Sequence, residues 1–337
     1  MLFLKKLKLV NYCAYEDHTF DFTKKDGTPY QFVCFFGPNG IGKSTLLEAI
    51  SMLTMNNAGR GEEFIKQSLQ KYIHDPDYDP MWQTFKDKKF WSEEREKVDM
   101  LIEGTYVMDG KEYVVQLTQN GYIKNDFAPI PPSDVDEDEA IEIQRSGPWG
   151  ENHLAHRQRI SHFIKTDSDL SLHKIQIHVS QKKKFENIVE QITRYPAECL
   201  EPLGMTAQEK SFCTDFVIKK TKKKSGTKYR IHFKRMSVGE KKIAKSFSEL
   251  LNLMRALSCP APGQPAMPGW PRLLLIDNIV MHIYFDRHVS MISNLIDAFD
   301  KQQIFATTHS GVLIPRFLNN EHDSTKELMI DLHDING

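Results

Sequence analysis

The 337-residue sequence has no uninterrupted apolar run of the roughly 18 residues that a membrane-spanning helix needs. Its five cysteines lie far apart and form no Cys-x-x-Cys pair, so neither a disulfide framework nor a zinc site is indicated. There is no internal repeat or heptad run, which excludes a long coiled coil. Residues 1–10 alternate apolar side chains with lysines, as in a strand rather than a signal peptide. We therefore expect a cytoplasmic globular protein without a membrane partner.

Overall charge gives no indication of a partner, because 44 Lys and Arg oppose 45 Asp and Glu. The charges are unevenly distributed, however: residues 134–142 are acidic, and residues 219–235 contain nine Lys or Arg and no acid. The basic segment is predicted to be a hairpin with Tyr229 and Phe233 among its cations. It is either a site for a DNA or RNA backbone or a solvated or protein-binding surface. If the hairpin binds nucleic acid, the lysines predicted to contact the phosphate backbone are Lys222, Lys223, Lys224 and Lys228.

Apolar periodicity predicts an alternation of strands and helices. The predicted strands are 2–10, 19–22, 31–36, 273–276 and 304–307, with a hairpin or meander over 98–123 and a second hairpin of 212–218 with 229–233. Four helices are predicted: one from Ser44, one over 182–193, one that begins after Met236, and one over 285–299. Such alternation indicates an α/β fold with a largely parallel, buried sheet.

The segment Gly-Pro-Asn-Gly-Ile-Gly-Lys-Ser at residues 37–44 matches the phosphate-loop pattern G-x-x-x-x-G-K-[ST]. It lies between an apolar strand and an amphipathic helix, as that motif requires. Glycines allow backbone N–H groups to surround phosphates, and the helix N-terminus adds its dipole. Lys43 would reach the β- and γ-phosphates, and Ser44 would ligate Mg²⁺. The predicted ATP-binding residues here are Asn39, Gly40, Gly42, Lys43, Ser44 and Thr45.

Two later strands end in residues that fit a nucleotide site. Asp277 follows the apolar run 273–276, the Walker B pattern, and is predicted to bind Mg²⁺ through its water shell. His309 follows the strand 304–307, where an imidazole can donate a hydrogen bond to a γ-phosphate. We therefore predict Lys43, Asp277 and His309 as catalytic residues, together with Asn278, which directly follows Asp277.

A second anion-binding helix start is predicted at the sequence Met-Ser-Val-Gly-Glu, residues 236–240. Ser237 and the backbone at Gly239 would bind phosphate there, with Glu240 completing the motif. One nucleotide does not need two such cradles from one chain.

At this point the sequence resembles the ABC-class ATPase heads of the SMC, RecF and OLD-like branch, which includes small ATP-binding proteins of bacterial phage-defence systems. The resemblance covers residues 1–55 and 212–315, with the motifs in the family order. It extends to the opening strand around residues 7–12, to a D-loop ending at His282 and to the switch at residues 307–310. It implies that Ser237 and Gly239 act in trans, in a homodimer or a higher homo-oligomer.

One departure from that family concerns catalysis. Asn278 stands where these ATPases carry a catalytic Glu, and an amide is unable to accept the proton of the attacking water. We expect hydrolysis to be slow unless another group supplies the base. Val238, where a second small residue is usual, weakens the expected γ-phosphate clamp.

The fold expected from these patterns is a P-loop NTPase, an ABC-type head with a mixed sheet and an inserted, mainly helical subdomain. The head would comprise residues 1–124 and 211–337, and the insertion residues 125–210. The resemblance implies an ATP-dependent dimerisation switch that couples nucleotide state to a nucleic acid or an effector protein, as in phage defence.

Two other functions stay open. A transporter motor subunit is disfavoured by the long spacing between Ser44 and Ser237. A nuclease would use the histidine-rich insertion, either as a metal site of His153, His156 and His162 or through Arg157 and His162, which have the spacing of some RNase active sites. The histidines complete no familiar ligand spacing with nearby acids, and we expect structural or surface histidines.

Overall fold

The computed structural model describes residues 2–54, 100–118, 121–127, 161–165, 177–200, 212–213, 215–222, 224–258, 273–279, 288–310, 313 and 326–333. The acidic run 134–142, His153, His156, Lys223, His282 and the Pro/Gly-rich loop 259–271 lie outside these residues.

Fifteen strands and four helices occur within the described residues. The helices are α1 (Lys43–Leu53), α2 (Lys182–Thr193), α3 (Val238–Ser258) and α4 (His288–Ala298). The first strands are β1 (Leu2–Tyr12), β2 (Tyr15–Asp21), β3 (Phe32–Phe36), β4 (Leu101–Met108), β5 (Lys111–Thr118) and β6 (Gly121–Asn125). The others are β7 (Ser161–Lys165), β8 (Ile177–His178), β9 (Ala197–Leu200), β10 (Phe212–Cys213), β11 (Asp215–Thr221), β12 (Lys228–His232), β13 (Leu273–Asp277), β14 (Gln303–Thr308) and β15 (Glu327–Asp331).

The chain forms two compact units. The first contains residues 1–30, 37–162 and 331–337, and the second contains residues 31–36 and 163–330. The predicted helix 182–193 is confirmed at both ends. Apart from β2 and the first strand of the basic hairpin, the other predicted elements are confirmed with small boundary differences. Strand β2 begins four residues earlier than predicted, because its polar residues pair with β1 up to Tyr12↔Tyr15.

The first unit has an antiparallel sheet in the order β2-β1-β4-β5-β6. Leu4 and Leu7 both point into the core although they are three residues apart, because a bulge between Leu4 and Lys6 shifts the register. The predicted Asp109-Gly110 turn is confirmed, with both residues at positive φ, as a two-residue hairpin turn requires.

Helix α1 lies against β4 and β5 of this sheet. Its Leu46, Leu47, Ile50 and Leu53 are all buried. The close approach depends on Gly104 in β4, because a Cβ there would lie 2.8 Å from Leu53 Cδ1 and 2.7 Å from Tyr106 Cε2. The sheet thus fixes the helix that follows the glycine loop.

The second unit has a five-stranded sheet in the order β15-β3-β14-β13-β7. Strands β3, β14 and β13 run parallel and their apolar residues are buried, which confirms the predicted parallel core. Parallel strands bring their carboxyl ends to one edge, and Asp277 of β13 and Thr308 of β14 lie at that edge.

Strands β12, β11 and β9 form a separate antiparallel sheet in this unit, and β11 with β12 is the predicted basic hairpin. The predicted first strand of that hairpin is divided: Phe212 and Cys213 pair with β8, whereas Asp215–Thr221 pairs with β9 and β12. Helices α2, α3 and α4 share one core with the parallel strands, built around Phe185, Phe247 and Phe299.

Most of the predicted insertion 125–210 lies outside the described residues, so its boundaries stay a prediction. Its described part contains α2 with β7, β8 and β9. No helix in the described ranges combines the length and the apolar character needed to cross a membrane.

Candidate nucleotide-binding site

The glycine loop leads into α1 through Gly42, which is the N-cap and has a left-handed backbone (φ 97°, ψ 12°). No side chain caps the helix at this residue. The ammonium group of Lys43, which is 5% exposed, donates to Gly37 O at 2.9 Å and Pro38 O at 2.5 Å. Lys43 therefore spans the loop from its end to its beginning.

Tyr15 of β2 supports the loop from inside the same unit. The Tyr15 hydroxyl donates to Gly42 O at 3.1 Å. A Cβ at Gly42 would lie 3.0 Å from the hydroxyl oxygen of Tyr15. Because φ is positive and Tyr15 is close, only glycine fits here without strain. The other predicted loop residues are accessible: Asn39, Gly40 and Ser44 are exposed and Thr45 is partly buried.

At the edge of the parallel sheet, Asp277 is tied to the neighbouring strand. Thr307 Oγ1 donates to Asp277 Oδ1 at 2.6 Å and accepts the N–H of Asn278 at 2.7 Å. Asn278 is left-handed (φ 54°), a conformation in which Asn is several-fold enriched among non-glycine residues. The geometry thus gives a backbone reason for Asn at this position.

His309 is exposed directly after β14. The next residue, Ser310, is buried, and its Oγ lies 2.7 Å from Nδ1 of His288, the first residue of α4. The turn that carries His309 is therefore attached to the start of α4.

The start of α3 is a capping box. Ser237 Oγ lies 3.3 Å from the N–H of Glu240, whose Oε2 accepts from the Ser237 N–H at 3.0 Å and from Ser237 Oγ at 2.9 Å. Gly239 is buried, whereas Val238 is 46% exposed. Ser237, predicted to contact phosphate, and Glu240, predicted to complete the motif, are thus bonded to each other.

Glu240 also accepts from Lys220 of the basic hairpin, with Nζ 2.8 Å from Oε1. Burial alone would raise the pKa of Glu240, but the bonds from Lys220 and Ser237 outweigh it and lower that pKa. Lys220 also lies over the Tyr195 ring, 4.5 Å from its centroid. One carboxylate thus joins the hairpin to the start of α3.

The cations of β11, β12 and the turn between them fall into two groups. Near its base, Lys219 and Arg230 share Glu198, at 2.9 and 3.6 Å, and Lys220 pairs with Glu240. At the tip, Lys222, Lys224 and Lys228 are exposed, and none forms an ion pair with an acid in the described part of the chain. The tip lysines are thus open to a polyanion.

Most of the histidine-rich stretch predicted in the insertion lies outside the described residues. His153 and His156 lie outside the described residues, and His162 lies in β7, whose side chains are not described. Among the residues that are described, no group of His, Cys, Asp and Glu could hold a metal ion by itself.

Residues 6–258 match the profile of the family described as AAA domain. This chain belongs to that family. The prediction of an ATPase head with an α/β P-loop fold is confirmed, and nucleotide binding is the general property that goes with it.

A curated relative, the Septu protein PtuA of Bacillus mycoides (strain KBAB4), is 30% identical over 71 residues. The match spans 21% of this chain and only 10% of the relative. Among solved structures, the SMC head domain from Thermotoga maritima is 14% identical with a TM-score of 0.49, over 93% of this chain and 91% of that one. The Smc head domain from Pyrococcus furiosus, bound to the C-terminal domain of ScpA, is 12% identical with a TM-score of 0.47, over 94% and 92%.

Sequence reasoning missed Tyr15 and gave Thr307 no role of its own. Their contacts join residues 27 and 30 positions apart, so they depend on strand register. The capping box, in contrast, was readable as the pattern Ser-x-x-Glu at 237–240.

Proposed function

We propose that this protein is an ATP-dependent dimerisation switch. The observation that carries the proposal is the glycine loop, in which Lys43 spans the loop and α1 starts without a side-chain cap. The first-turn N–H groups and the Lys43 ammonium provide what β- and γ-phosphates require. Asn39, Gly40, Gly42, Ser44 and Thr45 complete the proposed phosphate site.

The residues proposed for Mg²⁺ fit that ion, because it is bound through oxygen ligands. Ser44 offers an exposed hydroxyl, and Asp277 offers a partly exposed carboxylate at a strand end. Bound Mg²⁺ would neutralise phosphate charge. His309, exposed after β14, is proposed to donate to the γ-phosphate.

We further propose that the nucleotide held by one chain is capped by Ser237 and Gly239 of a second chain, which makes pairing depend on ATP. Hydrolysis would be slow, since the amide of Asn278 is unable to accept a proton from water. A long-lived ATP-bound pair suits a sensor or scaffold better than a motor.

The output of the switch is proposed to be an effector protein or a nucleic acid in a phage-defence system. The family resemblance implies such a role, and the short likeness to the Septu protein PtuA supports it. For nucleic acid, the supporting observation is the exposed cationic hairpin tip with Lys222, Lys224 and Lys228, next to Lys223 in the sequence.

Equilibrium binding of a fluorescent ATP analogue tests the primary step. We expect binding by the wild-type protein and a loss of at least about tenfold in Lys43→Ala, since hydrogen bonds from a charged group contribute about 1.5–3 kcal/mol. Lys25→Ala, an exposed lysine of the same unit, is the control. Absence of wild-type binding would refute the proposal.

A further inference from the structure

Thr307 lies near the carboxyl end of β14, an inner strand of the parallel sheet. It lies in β14 between β3 and β13, pairs with Phe35 of β3, and is 1% exposed. Buried hydroxyl groups are almost always hydrogen-bonded. The two partners of the Thr307 hydroxyl, Asp277 and Asn278, lie at the end of β13.

Three bonds connect this single residue to three consecutive residues. Its hydroxyl donates to Asp277 Oδ1 (2.6 Å) and accepts from the Asn278 N–H (2.7 Å), while its carbonyl accepts from the Ile279 N–H (2.9 Å). Because the hydroxyl has one proton and Asp277 receives it, the direction of both side-chain bonds is fixed.

From this geometry we propose that Thr307 is a positioning residue for the metal-binding carboxylate. It sets the rotation of Asp277 and holds Asn278 in its left-handed conformation, so that both are oriented before nucleotide and Mg²⁺ arrive. This inference rests on the proposed function, since it assumes that Asp277 acts on Mg²⁺.

The side-chain chemistry explains why threonine serves this purpose. A β-branched residue in a strand has a restricted χ1, so the hydroxyl keeps its direction at little cost in entropy. Serine keeps the hydroxyl and loses the restriction. Valine keeps the shape and the restriction but loses both side-chain bonds.

The test measures affinity for a fluorescent ATP analogue as a function of Mg²⁺, in wild type, Thr307→Val and Thr307→Ser. In Thr307→Val, the Mg²⁺ concentration that gives half of the full increase in analogue affinity should rise about tenfold. This factor corresponds to the low end of the free energy lost with a hydrogen bond to a charged group. Binding without Mg²⁺ should change less than about twofold, because the glycine loop is untouched. Thr307→Ser should stay within about threefold of wild type.

A matched control is Thr193→Val in α2, which removes another buried threonine hydroxyl, bonded to Val189 O at 2.7 Å, in the same unit. It should keep the wild-type response to Mg²⁺. If Thr307→Val does not fold, the comparison of Thr307→Ser with Thr307→Ala replaces it, because these side chains differ only in the hydroxyl.

Two negative results are distinguishable. A wild type that binds the analogue with Mg²⁺ dependence, together with an unchanged Thr307→Val or an equally impaired Thr307→Ser, would overturn the role of Thr307 alone. A wild type that binds no analogue, or whose binding ignores Mg²⁺, would overturn the proposed function and this inference with it.

Discussion

The two helix starts proposed to contact ATP are built differently. Helix α1 begins at a glycine with no side-chain cap, and Lys43 lies across the loop before it. Helix α3 begins with Ser237 bonded to the carboxylate of its own Glu240. A helix N-terminus favours an anion, and at α3 the protein already supplies one.

The difference indicates that the two helix starts have different roles in the proposed binding of ATP. In the proposed function, phosphate would bind at the start of α1 without a competing side chain, whereas a phosphate at α3 would compete with Glu240 for Ser237. The salt bridge from Lys220 offsets the charge of Glu240 and ties this competition to the basic hairpin. We therefore expect tight binding through α1, and weaker, reversible capping through α3.

The largest effect is expected from Gly42→Ala at the α1 start. The added methyl group would meet both the left-handed backbone and Tyr15, and such strain costs about 1–3 kcal/mol. ATP-analogue affinity should fall roughly 5- to 150-fold if the loop shifts to relieve it. The control is Gly27→Ala, which also has positive φ (82°) but open space around it, in the same unit. Equal binding by both variants would show that loop geometry is unimportant.

Next in size is the response to Asn278→Glu. A general base contributes about 10²–10⁴-fold, and a discounted share predicts at least about tenfold faster phosphate release. The left-handed backbone at this position disfavours Glu by roughly 1–2 kcal/mol, so we expect the gain together with a lower unfolding temperature. A wild-type rate near 1 s⁻¹, about the lower end for enzymes, without gain in the variant, would place the base elsewhere.

Much of this was predictable from sequence, because glycine loops and apolar periods are local patterns. The helix 182–193, the Asp109-Gly110 turn and the strand before Asp277 are such cases. The bonds of Tyr15 and Thr307 required the strand register, and the division of hairpin cations required knowing that Glu198 and Glu240 lie opposite them. Neither follows from spacing along the chain.

The hairpin tip gives a smaller, salt-dependent effect. Changing Lys222, Lys224 and Lys228 to Glu should reduce the slope of log affinity for DNA or RNA against log salt by about one unit or less per lysine. The same charge change at exposed Lys25, Lys111 and Lys301 should leave that slope near the wild-type value. If both triple variants behave alike, the tip is not a specific polyanion site.

Glu240→Gln should have the smallest effect, and it tests the competition at α3 directly. Removing the charge should strengthen ATP-dependent pairing about two- to fivefold, the scale of a charge at a helix terminus. Glu198→Gln, which removes a carboxylate paired with Lys219 elsewhere on the hairpin, is the control. Weaker pairing in Glu240→Gln would mean that the capping box supports the clamp instead of opposing it.

The same variant has a pH signature. Because folding lowers the pKa of Glu240, its bonds stabilise the fold above the unfolded pKa, and this stabilisation is lost as pH falls through the folded pKa. The stability difference between wild type and Glu240→Gln should therefore be present at neutral pH and vanish in acid. Thermal unfolding from pH 7 downward measures it.

The central claim is that two chains share each nucleotide, and mixing two inactive variants tests it most directly. Lys43→Ala and Ser237→Arg should each fail to pair in light scattering with ATP and Mg²⁺, and each should release little phosphate. In a mixed pair, Lys43 of one chain and Ser237 of the other rebuild one intact site. Because neither variant pairs with itself, every pair in a 1:1 mixture is mixed and holds one intact site of two, so the mixture should release phosphate at up to about half of the wild-type rate. A mixture no faster than the average of the two separate variants would contradict nucleotide sharing in trans.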